Sequence, residues 1–497
     1  MVNALRNWLA RLLVGNVYEA AQYSTRRSRI HSTYTSARFD ISTAPRQTIA
    51  QKARYYERNS WLVNKLADIF ESGTVGTGLV VQPATESEDW NQRASTWWQT
   101  WCKFPDATSR QNFGTLQGLM ARTWFVDGEA FILKSMGRVG PRVQLIEGHL
   151  VRTPEGQEKN PRWVDGLLTD TNGRPTGYAV HSEEESGKYK LVEVVPAERV
   201  WHLFEPQRPG QYRGISFLAS VLNALNDLDD LWKLEMQVAK LAGTLGVLKT
   251  NSTGTFDPLA FRRSQVTRST VSANNTATTE TTTDLIEDAT GAMAIALGNG
   301  EDIKQFIASR PTEQQRAHWT LITKAVCIGV GIPYVMVDPD SMQGTVYRGS
   351  LDLAASFFAQ RSSVIADACR DIYGYVMSVA RNTPELSGAP TEYWAANVLP
   401  PRGVNVDVGY TMSANLQSLQ AGTDDLETIL SPRGLDWRTV LRRKAEQAAY
   451  IKELAAEYGV EPSDIANISG KQEVVQQGAH EEKEDEKTDT KEEEEKK

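Results

Sequence analysis

From Leu351 onward, apolar and small residues return at alternating spacings of four and three: Leu351, Ala355, Phe358, Ser362, Ile365, Cys369, Ile372, Val376 and Val379. That period puts them on one face of a helix. A helix over 350–381 is roughly 48 Å long at about 1.5 Å per residue, beyond the usual length in a compact domain. Upstream, Pro311 suits a first helical turn, and 312–330 carries Trp319, Ile322 and Val326 on one face before Gly329, Gly331 and Pro333 stop it. The stretch between, 338–349 (DPDSMQGTVYRG), has turn residues and no apolar period, so an exposed loop is expected. A second long helix is predicted over 215–241 from Phe217, Val221, Leu225, Leu228, Trp232 and Val238, with Gly243 as its cap. Its polar face holds Asp227, Asp229, Asp230 and Glu235 against Lys233 and Lys240, and is acidic.

The remaining pattern divides the chain. Residues 16–48 are rich in Ser, Thr and Arg without a period and read as an extended arm. Segment 47–72 is helical, with Ile49, Ala53, Tyr56, Leu62, Leu66, Ile69 and Phe70 on its apolar face, and shorter helices follow at 90–101 and 113–123. From 126 to 204 short β-prone runs at 130–133, 142–146, 177–181, 189–195 and 199–203 alternate with turn signals, which predicts an antiparallel region. Between the two long helices, 251–284 is mostly Thr, Ser and Asn with Arg262, Arg263 and Arg268, and its flanks 245–248 and 292–297 read as strands. That excursion is either a docking tip or a disordered insertion. Helices return at 410–422 and 423–458, the latter divided at 431–434, and the run from His480 is nearly all Glu, Asp and Lys, a disordered tail.

Composition narrows the class. A chain of 497 residues has room for two to four domains, and 40% apolar residues suffice for a core. A net charge of −8 argues against tight gripping of phosphates, so any DNA contact is expected to be loose. Three separated cysteines, Cys102, Cys327 and Cys369, form no CxxC pair and suggest neither disulfides nor a zinc site. The longest uncharged apolar run, 325–337, is too short to span a bilayer, and the amphipathic start MVNALRNWLARLLVG lacks a cleavage site. Membrane association is not expected; the chain reads as soluble and cytoplasmic when made.

Nothing nominates a catalyst or a cofactor. The six histidines are scattered, and 73–78 (GTVGTG) lacks the GK[ST] of a phosphate loop. Asp338 and Asp340 are two close carboxylates without a third ligand, so no metal is expected, although metal-assisted hydrolysis there stays as an alternative.

Six blocks in a shared order carry a resemblance: RYYERNSWLVNKLADIFESGTVGTGLVV at 54–81, FVDGEAFILK at 125–134, DTNGRPTGYAV at 170–180, VPAERVWHLFEPQRPGQYRGISFLASVLNALNDLDD at 195–230, GIPYVMVDPDSMQGTVYRGSLDLA at 331–354 and GLDWRTVLRRKAEQ at 434–447. Together they resemble the lambda-type family of tailed-phage portal proteins, over about 15–470. The resemblance implies an α+β portal fold: a mixed α/β wing, a two-helix stem, a small strand-containing clip, a long tunnel helix and an α-helical crown. Onto this chain it places an N-terminal arm at 1–44, the first part of the wing at 45–214, stem helices at 215–243 and 312–330, and the clip at 244–311. The tunnel loop, long helix and second part of the wing fall at 331–422, the crown at 423–470 and a disordered acidic tail at 471–497.

A homo-oligomeric ring, usually of twelve subunits, is implied at one capsid vertex of the virion. Double-stranded DNA would pass through it non-specifically, with the large terminase, capsid and head-tail adaptor proteins as partners. The tunnel-loop residues are then Asp338, Asp340, Gln343, Thr345, Tyr347 and Arg348, with Tyr347 and Arg348 nearest DNA. The acidic stem face of Asp227, Asp229, Asp230 and Glu235 repels phosphates, and Arg262, Arg263 and Arg268 face the terminase. No enzymatic activity is implied, and no P-loop is present. A scaffold or minor head protein is the structural alternative.

Overall fold

The computed structural model describes residues 35–138, 140–243, 247–251, 268–271, 277–280, 301–305, 313–339, 344–401, 408–430 and 437–465. The chain divides into two compact units, Met1–Val398 and Leu399–Lys497.

The first unit opens with α1 (Ala37–Asp40), α2 (Thr43–Asn59) and α3 (Trp61–Thr74). Two of these helices replace the single one expected over 47–72. Ser60 is extended (φ −109°, ψ 116°), and its hydroxyl accepts from the Val63 amide at 3.5 Å, so a serine that looks neutral inside a period serves as the N-cap of α3. The first helices also reach into the segment expected as an arm; residues 1–34 lie outside the described residues. After β1 (Val80–Pro83) come α4 (Glu88–Trp101) and α5 (Phe113–Asp127), whose N-caps Ser87 and Asn112 accept from Trp90 and Thr115.

The β region has two sheets. β2 (Glu129–Gly137) lies between β3 (Gly140–Ile146) and β8 (Val200–Phe204), antiparallel to both. The other has the order β4 (Trp163–Val164), β5 (Leu167–Thr169), β6 (Pro175–Glu183), β7 (Tyr189–Pro196), again antiparallel. The antiparallel expectation holds, and two strands too short to show alternation, β4 and β5, join it. β4 and β5 turn through Asp165 and Gly166, both at positive φ (46° and 90°), as a tight two-residue Asp-Gly hairpin requires.

Helix α6 (Leu222–Gly243) starts seven residues later than the 215 expected from its apolar period. The cause is a close backbone crossing. A Cβ on Gly214 would lie 2.0 Å from the Gly128 carbonyl oxygen, and Gly128, at φ +88°, ends α5 against the backbone of Ile215. The Phe217 amide donates to the Phe125 carbonyl at 3.2 Å, so this segment bonds to the end of α5 instead of coiling.

Between α6 and α7 (Glu313–Val330), β9 (Val247–Asn251) pairs with β12 (Glu301–Gln305), and β10 (Arg268–Val271) with β11 (Ala277–Glu280). Of the strand expected at 245–248, residues 247 and 248 lie in β9 and the rest fall outside the described residues, as does the strand expected at 292–297. The hairpin falls within 251–284, where a Ser/Thr-rich composition hid it.

Helix α8 (Gly344–Ala380) has 37 residues, about 55 Å. It takes up the second half of the segment expected to be loop and runs through Gly349 without a break. Its C-terminal half is core: Ile365, Ala368, Cys369, Ile372, Tyr373 and Val376 are fully buried. Around them stack Trp98, Trp101 and Phe113, with Trp98 and Tyr373 ring centroids 5.1 Å apart. Phe70, Trp124, Phe125 and Phe217 form the adjoining aromatic layer. The Tyr375 hydroxyl donates to the Ser135 carbonyl at 2.6 Å, which fixes α8 to β2. β13 (Ala396–Leu399), unmarked in the sequence, pairs with β1.

The second unit contains α9 (Val408–Ala421), α10 (Leu426–Leu430), α11 (Trp437–Tyr458) and α12 (Pro462–Ile465). The helices expected at 410–422 and on both sides of 431–434 are present.

Gly214→Ala should destabilise the first unit by about 3 kcal/mol or more, since the added methyl meets backbone on a rigid crossing. Gly187→Ala, in an open turn, should cost far less. Urea unfolding of the two variants checks the difference.

Candidate functional site

The position of α6, and so of every residue it carries, is set by a buried ionic knot. Glu129, at the start of β2, is fully buried, and Arg213 and Arg46 are 1% and 4% exposed. Arg213 donates from Nε to Glu129 Oε2 at 2.8 Å and from Nη2 to the Gly148 carbonyl at 2.7 Å. Arg46 on α2 donates from Nη1 to Glu129 Oε1 at 3.0 Å and from Nε to Asp165 Oδ2 at 2.7 Å. The Gly214 amide donates to Glu129 Oε2 at 2.9 Å. One carboxylate thereby ties a helix, two sheets and the lead-in to α6.

His202 completes the knot. Its ring stacks between Phe131 and Phe204, with centroids 4.2 and 4.4 Å away, and Nε2 lies 3.1 Å from Glu129 Oε2. Burial pushes the Glu129 carboxyl up, but Arg213 and Arg46 outweigh it and hold it well below its ordinary 4.5. Burial lowers His202 from 6.5, against the raising effect of Glu129. Sequence reading missed this cluster: its members lie up to 167 positions apart, and none stands in a motif.

The residues singled out for a channel are distributed as follows. On α6, Asp227 and Asp230 are exposed, and Asp229 and Glu235 are partly covered. Asp229 accepts from Lys233 Nζ at 2.5 Å, and Asp230 accepts from the Asn226 amide at 3.3 Å. These acids do not cover the whole outer surface of the helix. Leu231 and Leu234, 39% and 57% exposed, share a helix line with Asp227, and Asp230 and Glu235 lie on either side of them.

In the segment at 338–349, Asp338 accepts from the Tyr334 hydroxyl at 2.8 Å, and burial with that hydrogen bond pushes the Tyr334 phenol up to about 12. Thr345, Tyr347 and Arg348 belong to the first turns of α8 rather than to a loop, with Tyr347 partly covered and Arg348 exposed. Asp340 and Gln343 lie outside the described residues, as do Arg262 and Arg263; Arg268 opens β10. Among the described residues no group of three His, Cys, Asp or Glu side chains could hold a metal, and no helix is long and apolar enough to cross a membrane.

The described chain is mixed helix and strand, with one very long helix and two paired helices joined by a strand-bearing excursion. The model of the lambda family of phage portal proteins matches residues 23–347, and the chain belongs to that family. No curated protein matches the chain. Among solved structures, it is similar to a chain in the neck of an empty gene transfer agent particle computed with C6 symmetry: 10% identity, 77% of this chain and 94% of that one, TM-score 0.48. A chain in the neck of the native particle, computed with C12 symmetry, gives 11% identity, 80% and 94% coverage and a TM-score of 0.45. An HK97-family phage portal protein from Corynebacterium diphtheriae gives 11%, 72% and 96%, and 0.32. The family assignment rests on the family model.

Arg213→Ala leaves Glu129 buried with less compensation and should cost about 3–5 kcal/mol of unfolding free energy. Both shifted groups have lowered folded pKa values, so the unfolded chain takes up protons first. Stability should be complete above about 6.5, decline as His202 is protonated on unfolding below that pH, and decline again below 4.5 through Glu129. Urea midpoints measured from pH 8 to pH 4 check the profile; Glu147, held at about 2 by His149 and Arg54, adds to the lower step, so Arg213→Ala should shrink that step without abolishing it.

Proposed function

We propose that the chain forms a closed ring, of about twelve copies, at one vertex of a phage capsid. It would serve there as the conduit for double-stranded DNA during packaging and ejection, and as the dock for the large terminase and the head-tail adaptors. The family match across 23–347 carries this reading, because it spans α6, α7 and the excursion between them. In this reading α6 and α7 are the stem, the excursion is the clip, α8 follows the channel segment, and the second unit contributes the crown.

The physics of a conduit supports the charge pattern. DNA driven through a channel must not stick, and carboxylates at Asp227, Asp229, Asp230 and Glu235 repel phosphates. The exposed Arg348 and its neighbour Tyr347 are suited to brief contacts with a moving backbone, with Asp338, Asp340, Gln343 and Thr345 completing the segment. Arg262, Arg263 and Arg268 are the basic residues offered to the motor. The protein acts in the virion after assembly in the host cytoplasm.

Native mass measurement and negative-stain imaging of the full chain should give rings of about twelve copies with a central hole. A stable monomer or dimer under assembly conditions would refute the reading. Within such rings, replacing Tyr347 and Arg348 together by alanine should lower DNA packaged or retained several-fold while leaving ring mass unchanged; unaltered packaging and retention would remove these two from the channel contacts.

A further inference from the structure

Two helix faces in the first unit are apolar, exposed and uncovered. On α7, Leu321 and Ile328 are 64% and 79% exposed, and Ala325 between them is exposed. At about 100° per residue these three project nearly opposite the side that carries the inward residues Thr323, Val326 and Val330. On α6, Leu231 and Leu234, with the partly exposed Val238, form a stripe about 120° from the buried Leu225 and Leu228, and the exposed Asp227 ends it one turn before Leu231. An amphipathic helix ordinarily has one apolar face; each of these has two.

The stripes cannot cover each other within one molecule. Val221 packs at Gly329, and the Trp232 and Trp319 rings lie 4.5 Å apart, so α6 and α7 already meet, antiparallel, through their other faces. A second copy can bring them together. Read along α6, the spacing of Leu231, Leu234 and Val238 is three then four; read backwards along α7, the spacing of Ile328, Ala325 and Leu321 is also three then four. Antiparallel helices in that register set Leu231 on Ile328, Leu234 on Ala325 and Val238 on Leu321, with the small Ala325 leaving room for Leu234.

We infer that the α6 stripe of one copy packs on the α7 stripe of the next, as the repeating head-to-tail contact of the assembly. Because the two stripes are different surfaces of the same molecule, the contact is heterologous and propagates around a ring. The inference rests on the ring reading and adds to it the surfaces and the register.

The test is a Leu234→Cys, Ala325→Cys double variant of the full chain, assembled and then oxidised. A ladder of covalent multimers on a denaturing gel, absent from either single variant and from the parent chain, is the expected result. Native mass read on the same samples separates the two ideas. Rings that form normally but give no ladder, or only an internal cross-link within one chain, overturn the stripe pairing and leave the ring intact. A parent chain that forms no ring overturns the reading beneath it. Leu234→Glu should shift the parent from ring to free subunit, and adding Ala325→Lys should restore rings at least partly; failure of that rescue, with both variants folded, also counts against the pairing.

Discussion

A carboxylate sealed away from water must be matched by cations and hydrogen-bond donors or the fold does not form, and that constraint on Glu129 organises the first unit. Its partners arrive from α2, from the lead-in to α6 and from β8, while Asp165 at the β4–β5 turn holds Arg46 from the other side. Satisfying one charge fixes four segments at once. The neighbouring residue on each strand of this crossing is a glycine, Gly128 before Glu129 and Gly214 after Arg213, and the backbones touch there. Bulk is excluded so that the charges can meet. The direction in which the chain leaves toward α6 follows from this crossing, and α7, packed on α6, inherits it.

Helix α8 shows the opposite economy. Its C-terminal half is surrounded by Trp98, Tyr373 and the strands, and Lys134 pairs with Asp371 at 2.5 Å. Its first turns expose Val346 and Leu353, 61% and 73% open, and burial begins at Ala354 and Phe358. A helix of this length gains little from propensity alone, and its stability comes from the packed part. The result is a helix packed from Ala354 onward, whose exposed first turns carry Tyr347 and Arg348 on a continuous hydrogen-bonded ladder.

How far the sequence was legible depended on the range of the interaction involved. Periodicity located the helices and the antiparallel region because burial of one face is a local pattern, and it found the C-terminal half of α8 almost residue for residue. It placed α6 seven residues early because Phe217 and Val221 continue the period although the backbone of Ile215 and Phe217 is committed to Gly128 and Phe125, about 90 positions away. It ran α2 and α3 together because Ser60 acts as a cap only once the chain turns. The four-residue strands β1 and β13 left no alternation to read, and they exist because they pair across the sequence. The knot around Glu129 was wholly hidden: charged residues are assumed to face solvent unless partners are known.

The acidic character of α6 was legible, but its meaning changed with the fold. Read as a period, the helix has an apolar side for the core and a polar side for solvent. In three dimensions the solvent side is itself mixed: Leu231 and Leu234 form an exposed apolar stripe that continues the line of Asp227, with Asp230 to one side and Glu235 to the other. A lone subunit gains nothing from that mixture, since the leucines remain in water at a cost of roughly 25 cal/mol per Å² left exposed. A subunit set side by side with copies of itself, as the proposed ring requires, would gain, because the apolar stripe would meet a neighbour. In the proposed ring, the seam and the carboxylates beside it would both follow from one helix orientation, and that orientation goes back to the crossing beside Glu129.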